Sequence, residues 1–286
     1  MVVENGYQSF GRKIKLIAGS ADTGGGKEWT DLRISFLVEK DDNLTPDKAQ
    51  IQIYNLNETS RKYLTLEMPI VLQAGYGENL RTLFKGTIDK LNGIEHLHAK
   101  PDLITKIKAT DGGLLWDSNS AISFKTSTTI QNCIQQLALS AGFNIGYIDP
   151  ELPVITLKRG YCMVGYTHAV LSDLADMLGA VSFIQDGLFY VVKQGNKTQE
   201  KMVLLTPDSG LIGSPEAADL SADKGTKTKV KALKIVCLLN GLIKPRKALQ
   251  HKSTEYDGIY IPKKVKHEGD SGWDNEFYTT IEAING

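Results

Sequence analysis

From the start of the chain to about residue 112, hydrophobic and polar side chains alternate, the mark of strands with one buried face. In RKIKLIA, Ile14 and Leu16 share a face; in LRISFLVE, Leu32, Ile34, Phe36 and Val38 oppose Arg33, Ser35 and Glu39. AQIQIYNL repeats the pattern with Ile51 and Ile53. IVLQAGYG, LFKGTIDKLNGIE and LITKIKATDGG bring the total to roughly six strands divided by Gly, Asn and Asp turns. Asn57, in NETSRKYL, stands where it can cap a short helix that carries Arg61, Tyr63 and Leu64 back over the sheet. Many short strands with local turns predict a barrel or a sandwich.

Near residue 113 the period changes. STTIQNCIQQLALSAG sets Ile130, Cys133, Ile134, Leu137, Ala138 and Ala141 along one helical stripe, with Thr128 and Gln131 spaced as a capping box and Gly142 as the stop. THAVLSDLADMLG predicts a second helix, with Thr167 as N-cap, an apolar face of Val170, Leu171, Leu174 and Leu178, and Gly179 at its end. Strand-like sequence follows each helix: FNIGYID, then AVSFIQDGLFYVVKQG, where Asp186-Gly187 between alternating apolar residues signals a hairpin. After the polar stretch QGNKTQEK, β character returns with MVLLTP. GLIGSPEAADLSADKGTK reads as a long shaped loop. VKALKIVCLLNG, DGIYIPKKVKHEG and EFYTTIEAI supply further strands, the last setting Phe277, Thr279, Ile281 and Ala283 against Tyr278, Thr280 and Glu282. The expected fold is mainly β with an α+β insert, in three parts: residues 1–113, 114–197 and 198–286. The two outer parts build similar or even shared sheets.

Composition narrows the functional classes. The 286 residues are 41% hydrophobic and 23% charged, with 33 basic and 33 acidic side chains, so no overall field draws the chain to nucleic acid or an anionic membrane. No apolar run reaches the length of a signal peptide or a membrane span, which predicts a protein made and assembled in the cytoplasm. Cys133, Cys162 and Cys237 are far apart, form no CxxC pair and read as small apolar residues.

The densest chemistry lies in HEGDSGWDNEF. His267, Glu268 and Asp270 suggest zinc or acid/base work if their side chains converge. The spacing is not the helical i, i+4 pair of a metalloprotease, and a strand from Lys263 to His267 sends His267 and Glu268 to opposite faces. The expectation is a turn between two strands. His96 and His98 share a strand face without a companion ligand. ADTGGGKEW has a glycine-rich loop and a lysine but lacks the Ser or Thr that ends a phosphate-binding loop. GLIGSPE is not a hydrolase elbow. KTKVKALK and PKKVKH carry alternating bases, as solvated strand faces do, and lack the interleaved aromatics that stack on bases. His168 falls in the first turn of the second helix. Trp116, Trp273 and the tyrosines are scattered, unlike a carbohydrate-stacking platform. The sequence therefore predicts no catalytic, cofactor-binding or metal-ligating residue.

Several stretches in order resemble the central hub proteins of contractile phage-tail baseplates, the group of the Mu-type hub and the late control protein D family. They are AQIQIYNLNETSRKYL, IVLQAGYGENLRTLFKGTID and ITKIKATDGG, then the two helix-then-strand units, then GLIGSPE, VCLLNGLIKPRKALQHKS and DGIYIPKKVKHEGDSGWDNEFYTTIEA. Nearly the whole chain is covered. The family pattern implies a glycine or small residue after Pro245, where this chain has Arg246. The resemblance implies two tube-like β-barrel domains flanking the α+β region, in a homotrimer that presents a pseudo-sixfold ring. Its expected partners are the tail tube, the threefold cell-puncturing spike, the tape-measure protein and other baseplate proteins, with a lumen that passes DNA without gripping it. The expected location is the phage tail baseplate of the virion. Two other readings compete: a distal-tail or tube-initiator protein, and a tail-carried cell-wall hydrolase using His267 and Asp270.

Overall fold

A computed structural model describes residues 11–19, 25–99, 101–113, 118–221, 229–252, 257–272 and 276–286. The chain divides into two compact units, one of residues 1–40, 48–110 and 199–286, the other of residues 41–47 and 111–198.

The first unit is a sheet. Eight strands come from the first part of the chain: β1 (Arg12–Ala18), β2 (Lys27–Trp29), β3 (Ile34–Asp41), β4 (Asp47–Tyr54), β5 (Pro69–Tyr76), β6 (Asn79–Ile88), β7 (Ile94–Ala99) and β8 (Asp102–Asp111). Six come from its last part, and their numbers continue after those of the second unit: β14 (Val203–Leu205), β15 (Leu211–Ser221), β16 (Lys229–Leu238), β17 (Leu249–Lys252), β18 (Asp257–Asp270) and β19 (Phe277–Asn285). Among the described residues they form one 14-stranded sheet whose main path runs β15-β16-β19-β18-β3-β4-β8-β6-β5-β1-β2. The outer thirds of the chain therefore share a sheet, joined where β18 meets β3.

Alternation decides which side chains are buried. Ile14, Leu16, Ile34, Phe36, Val38, Ile51, Ile53, Ile70 and Leu72 make one core, to which the last part contributes Leu239 and Phe277. Val203, Leu205, Ile235, Cys237, Leu249, Val265, Ile281 and Ala283 make a second, separate core. Phe277 ties the two parts together, its ring edge-on to Tyr76 at 5.3 Å and to Phe36 at 6.3 Å. A side chain on Gly269 would strike both phenyl rings at under 3 Å, so glycine is what lets them meet.

Short α1 (Glu58–Tyr63) begins as the sequence predicts, with the Asn57 side chain accepting the Ser60 N–H at 2.8 Å. Residues 211–221, expected to lie in a loop, are instead strand β15, antiparallel to β16 with a register shift between Ile212 and Glu216. The Gly-Ser-Pro sequence sits at that irregularity, which is why its turn chemistry hides a strand.

The second unit holds α2 (Ile130–Ser140) and α3 (Thr167–Met177), a sheet ordered β10 (Asn144–Ile148), β13 (Leu188–Lys193), β12 (Ala180–Gln185), and a ribbon of β9 (Asn119–Phe124) with β11 (Tyr161–Tyr166). Ile130, Cys133, Ile134, Leu137 and Ala138 pack with Leu171, Leu174, Phe189 and Val191. Asp186 and Gly187 take φ of 53° and 81°, the left-handed pair of a tight hairpin turn. Two caps differ from expectation. The α2 cap is Thr129, whose hydroxyl accepts the Asn132 N–H at 3.3 Å, while the Thr128 hydroxyl turns back to the Lys125 carbonyl. Thr167 lies inside α3 and is fully buried, bonded to the Ser118 and Ser120 hydroxyls, and Tyr166 holds the cap position without a side-chain bond. Among the described residues no helix is long and apolar enough to cross a membrane.

Candidate functional site

The HEGD stretch closes β18 and opens the connection to β19. Register pairs Val265 with Ile281, His267 with Thr279 and Gly269 with Phe277 on the buried face, and Lys266 with Thr280 and Glu268 with Tyr278 on the other. His267 is 1% exposed, and its Nδ1 lies 2.9 Å from the Thr279 hydroxyl oxygen. That oxygen also accepts the Asn240 backbone N–H at 3.0 Å. Asp270, three residues on, falls on the other face of the strand: its carboxylate accepts both Nε and a terminal nitrogen of Arg33, at 3.2 and 3.0 Å, and the Gly272 N–H at 2.7 Å. The paired carboxylate raises the Arg33 pKa. Arg33 also sits over the Tyr54 ring at 4.5 Å. His267 is thus interior scaffolding and Asp270 a clasp between β18 and β3, two side chains that the structure does not bring together.

Each of the other sequence candidates has surroundings of its own. His96 and His98 are both exposed on β7, and His96 Nδ1 faces the Thr105 hydroxyl at 3.1 Å across the β7–β8 pair. Lys27, at the end of the glycine-rich span, lies in β2; its ammonium donates to the Ser60 hydroxyl at 2.6 Å and stands near the rings of Trp29 and Tyr63. The His168 ring stacks on Tyr166, with centroids 5.7 Å apart. Cys133 and Cys237 are buried and Cys162 is exposed; burial raises the Cys237 thiol to about 12. Trp116, Trp273 and residues 20–24 and 222–228 fall outside the described residues. Among those described, no three His, Cys, Asp or Glu side chains gather as a metal set.

What the first unit presents is a surface. On the face of β3, β4, β18, β19 and β16 away from the cores stand Ser35, Glu39, Lys48, Gln50, Gln52, Lys264, Lys266, Glu268, Thr280, Glu282 and Lys234. Acid and base alternate and pair: Lys266 meets Glu268 at 2.7 Å and Lys264 lies 4.0 Å from Glu282. A wide face with such balanced charge holds no strong field of either sign. The sequence showed the alternating lysines of β16 and β18, with Glu268 two residues from Lys266, but not Glu282 as the partner of Lys264, because that carboxylate comes from β19.

A shared sheet over two apolar cores, together with an α+β unit, is a fold that this chain has in common with proteins of known structure. The fold matches a tail protein from Neisseria meningitidis MC58 (TM-score 0.68, 12% identity, 96% of this chain and 97% of that one). It also matches the 43 kDa tail protein of prophage MuSo2 from Shewanella oneidensis (0.65, 9%, 96% and 98%). A third match is the E. coli c3393 protein, a component of the type VI secretion system (0.59, 13%, 89% and 73%). No curated protein sequence matches. The chain belongs to the "Baseplate hub gp41" family, whose model matches residues 22–224. Its place is the tail baseplate of the virion, as the resemblance read from the sequence implied.

Proposed function

We propose that the protein is the symmetry adaptor of the baseplate, a homotrimer joining the sixfold tail tube to the threefold spike around a lumen for DNA. The observation that carries this reading is the pair of separate cores in one sheet, one mostly from the first part of the chain and one wholly from the last. If each core marks a tube-like barrel, three chains supply six modules, which is how a trimer meets a hexamer. Membership of a baseplate hub family supports the same role. The charge-balanced face suits a conduit, since a basic wall would bind phosphates at every step of DNA passage. The hub works by binding tube, spike, tape-measure and other baseplate proteins, through interfaces with apolar centres, and has no catalytic task. The buried position of His267 and the Arg33 clasp on Asp270 favour this over a hydrolase.

Stoichiometry tests the proposal. Native mass measurement of the purified assembly is expected to give three 31.4 kDa chains. Six would instead favour a tube-initiator or distal-tail ring. Lytic activity that disappears in a folded His267→Ala variant would favour the hydrolase.

A further inference from the structure

The ribbon of the second unit has an uncovered face. Cross-strand register places Cys162 with Ser123, Val164 with Ala121 and Tyr166 with Asn119 on the side opposite Met163 and Phe124, which pack into the core. Val164 is 75% exposed and Tyr166 59%, unusual values for strand residues of this size. Neither outer edge of the ribbon pairs with another described strand. NSAISF and YCMVGY contain no carboxylate, while Lys125, Lys158 and Arg159 are exposed at the Phe124–Tyr161 end.

The same unit exposes a second apolar stretch, with Glu151 before it and Lys158 and Arg159 after it. Residues 151–155, ELPVI, form a ridge with Val154 78% and Ile155 39% exposed and the carboxylate of Glu151 beside them in sequence. The ridge is held from below. Leu152 is buried, the Pro153 carbonyl accepts from Gln131 Nε2 at 2.7 Å, and the Ile155 carbonyl accepts the Ile130 N–H at 2.9 Å. An apolar knob already fixed in place loses little entropy on docking. Glu151 is exposed and accepts from the Asn196 amide at 3.0 Å through one carboxylate oxygen, so it can face a cation.

We infer that the ribbon face of one subunit receives the Val154–Ile155 ridge of a neighbouring copy, Val154 and Ile155 against Val164, Tyr166 and Ala121, with Glu151 toward Lys125, Lys158 and Arg159. Donor and acceptor are different patches of one chain, so the contact is head-to-tail, and a threefold rotation between copies closes it into a ring. This rests on the trimer reading and names one surface that holds it together.

Cys162 on the receiving face provides the probe, because the other two cysteines are buried. Full-length Val154→Cys protein treated with a short bismaleimide is expected to give covalent species up to the closed ring. Val154→Cys/Cys162→Ser is expected to lose the ladder, and Val154→Asp, an exposed change that leaves the fold intact, to weaken assembly at least tenfold. A ladder that persists in the double variant means that position 154 meets itself, and overturns the head-to-tail contact. Absence of a ladder while native mass still gives three copies overturns this interface and leaves the trimer standing; a single copy by native mass removes both. Cys162 that labels fully in the isolated trimer but is protected in whole tails assigns the face to another tail protein, and likewise overturns the inference.

Discussion

Thr279 is the hub of the polar contacts inside the last hairpin. Its hydroxyl accepts the Asn240 N–H and meets His267 Nδ1 in a place without access to water. Thr279→Val keeps the shape and strands both partners, so unfolding free energy is expected to fall by about 1–3 kcal/mol in denaturant titration. Two buried acids set a second expectation. Burial raises the Tyr76 hydroxyl from 10.0 and the Cys237 thiol from 9.0, each to about 12. The unfolded chain releases these protons first. Stability is therefore full below pH 9 and declines from there toward pH 12, by at most about 1.4 kcal/mol per pH unit for each group. Thermal melts of the wild type and Cys237→Ala between pH 8 and 11 check the sign: the variant should show the shallower alkaline loss, and an equal slope would remove Cys237 as a cause. Arg246 is a residue where family pattern and geometry meet. It is fully buried with φ of 59°, the left-handed region in which glycine is at ease, so the glycine implied after Pro245 answers a real backbone demand that this chain meets with arginine.

At the scale of elements, local signals were legible and partners were not. Asn57 at the start of α1, the apolar stripe of α2 and the Asp186-Gly187 turn all depend on residues within a few positions of each other, and all were readable in order. Asn57→Ala is expected to cost about 1 kcal/mol, and Gly187→Ala, at φ of 81°, a similar amount; chemical denaturation measures both. The sequence also sent His267 and Glu268 to opposite faces, because alternation fixes faces, and the structure puts His267 on the buried one. It could not supply Thr279 for His267, nor Arg33 for Asp270, whose partner lies 237 residues away. Strand β15 was hidden because its ladder partner gives it order while its own Gly-Ser-Pro suggests a loop. The ribbon of β9 and β11 was missed for a related reason: each strand is six residues with a weak pattern, and they are joined across two intervening elements. The α2 cap slipped by one residue because Thr128 and Thr129 are chemically equal, and the Lys125 carbonyl took the first of them.

At the scale of the molecule, one shared sheet has a mechanical consequence. The first and last parts of the chain meet through β3 and β18, with Arg33–Asp270 on one face and Phe36–Phe277 on the other. Phe277→Ala removes an apolar ring shared by both parts and is expected to cost about 3–5 kcal/mol, read as loss of the common unfolding transition rather than of one half. If half the β signal melted independently, the two parts would be separate folds after all. The central proposition is that each chain lends two such modules to a ring. An image of the purified protein down its symmetry axis tests it most directly: the account predicts six modules around a central hole, contributed by three chains, and a particle with one module per chain, or with no ring, would contradict it.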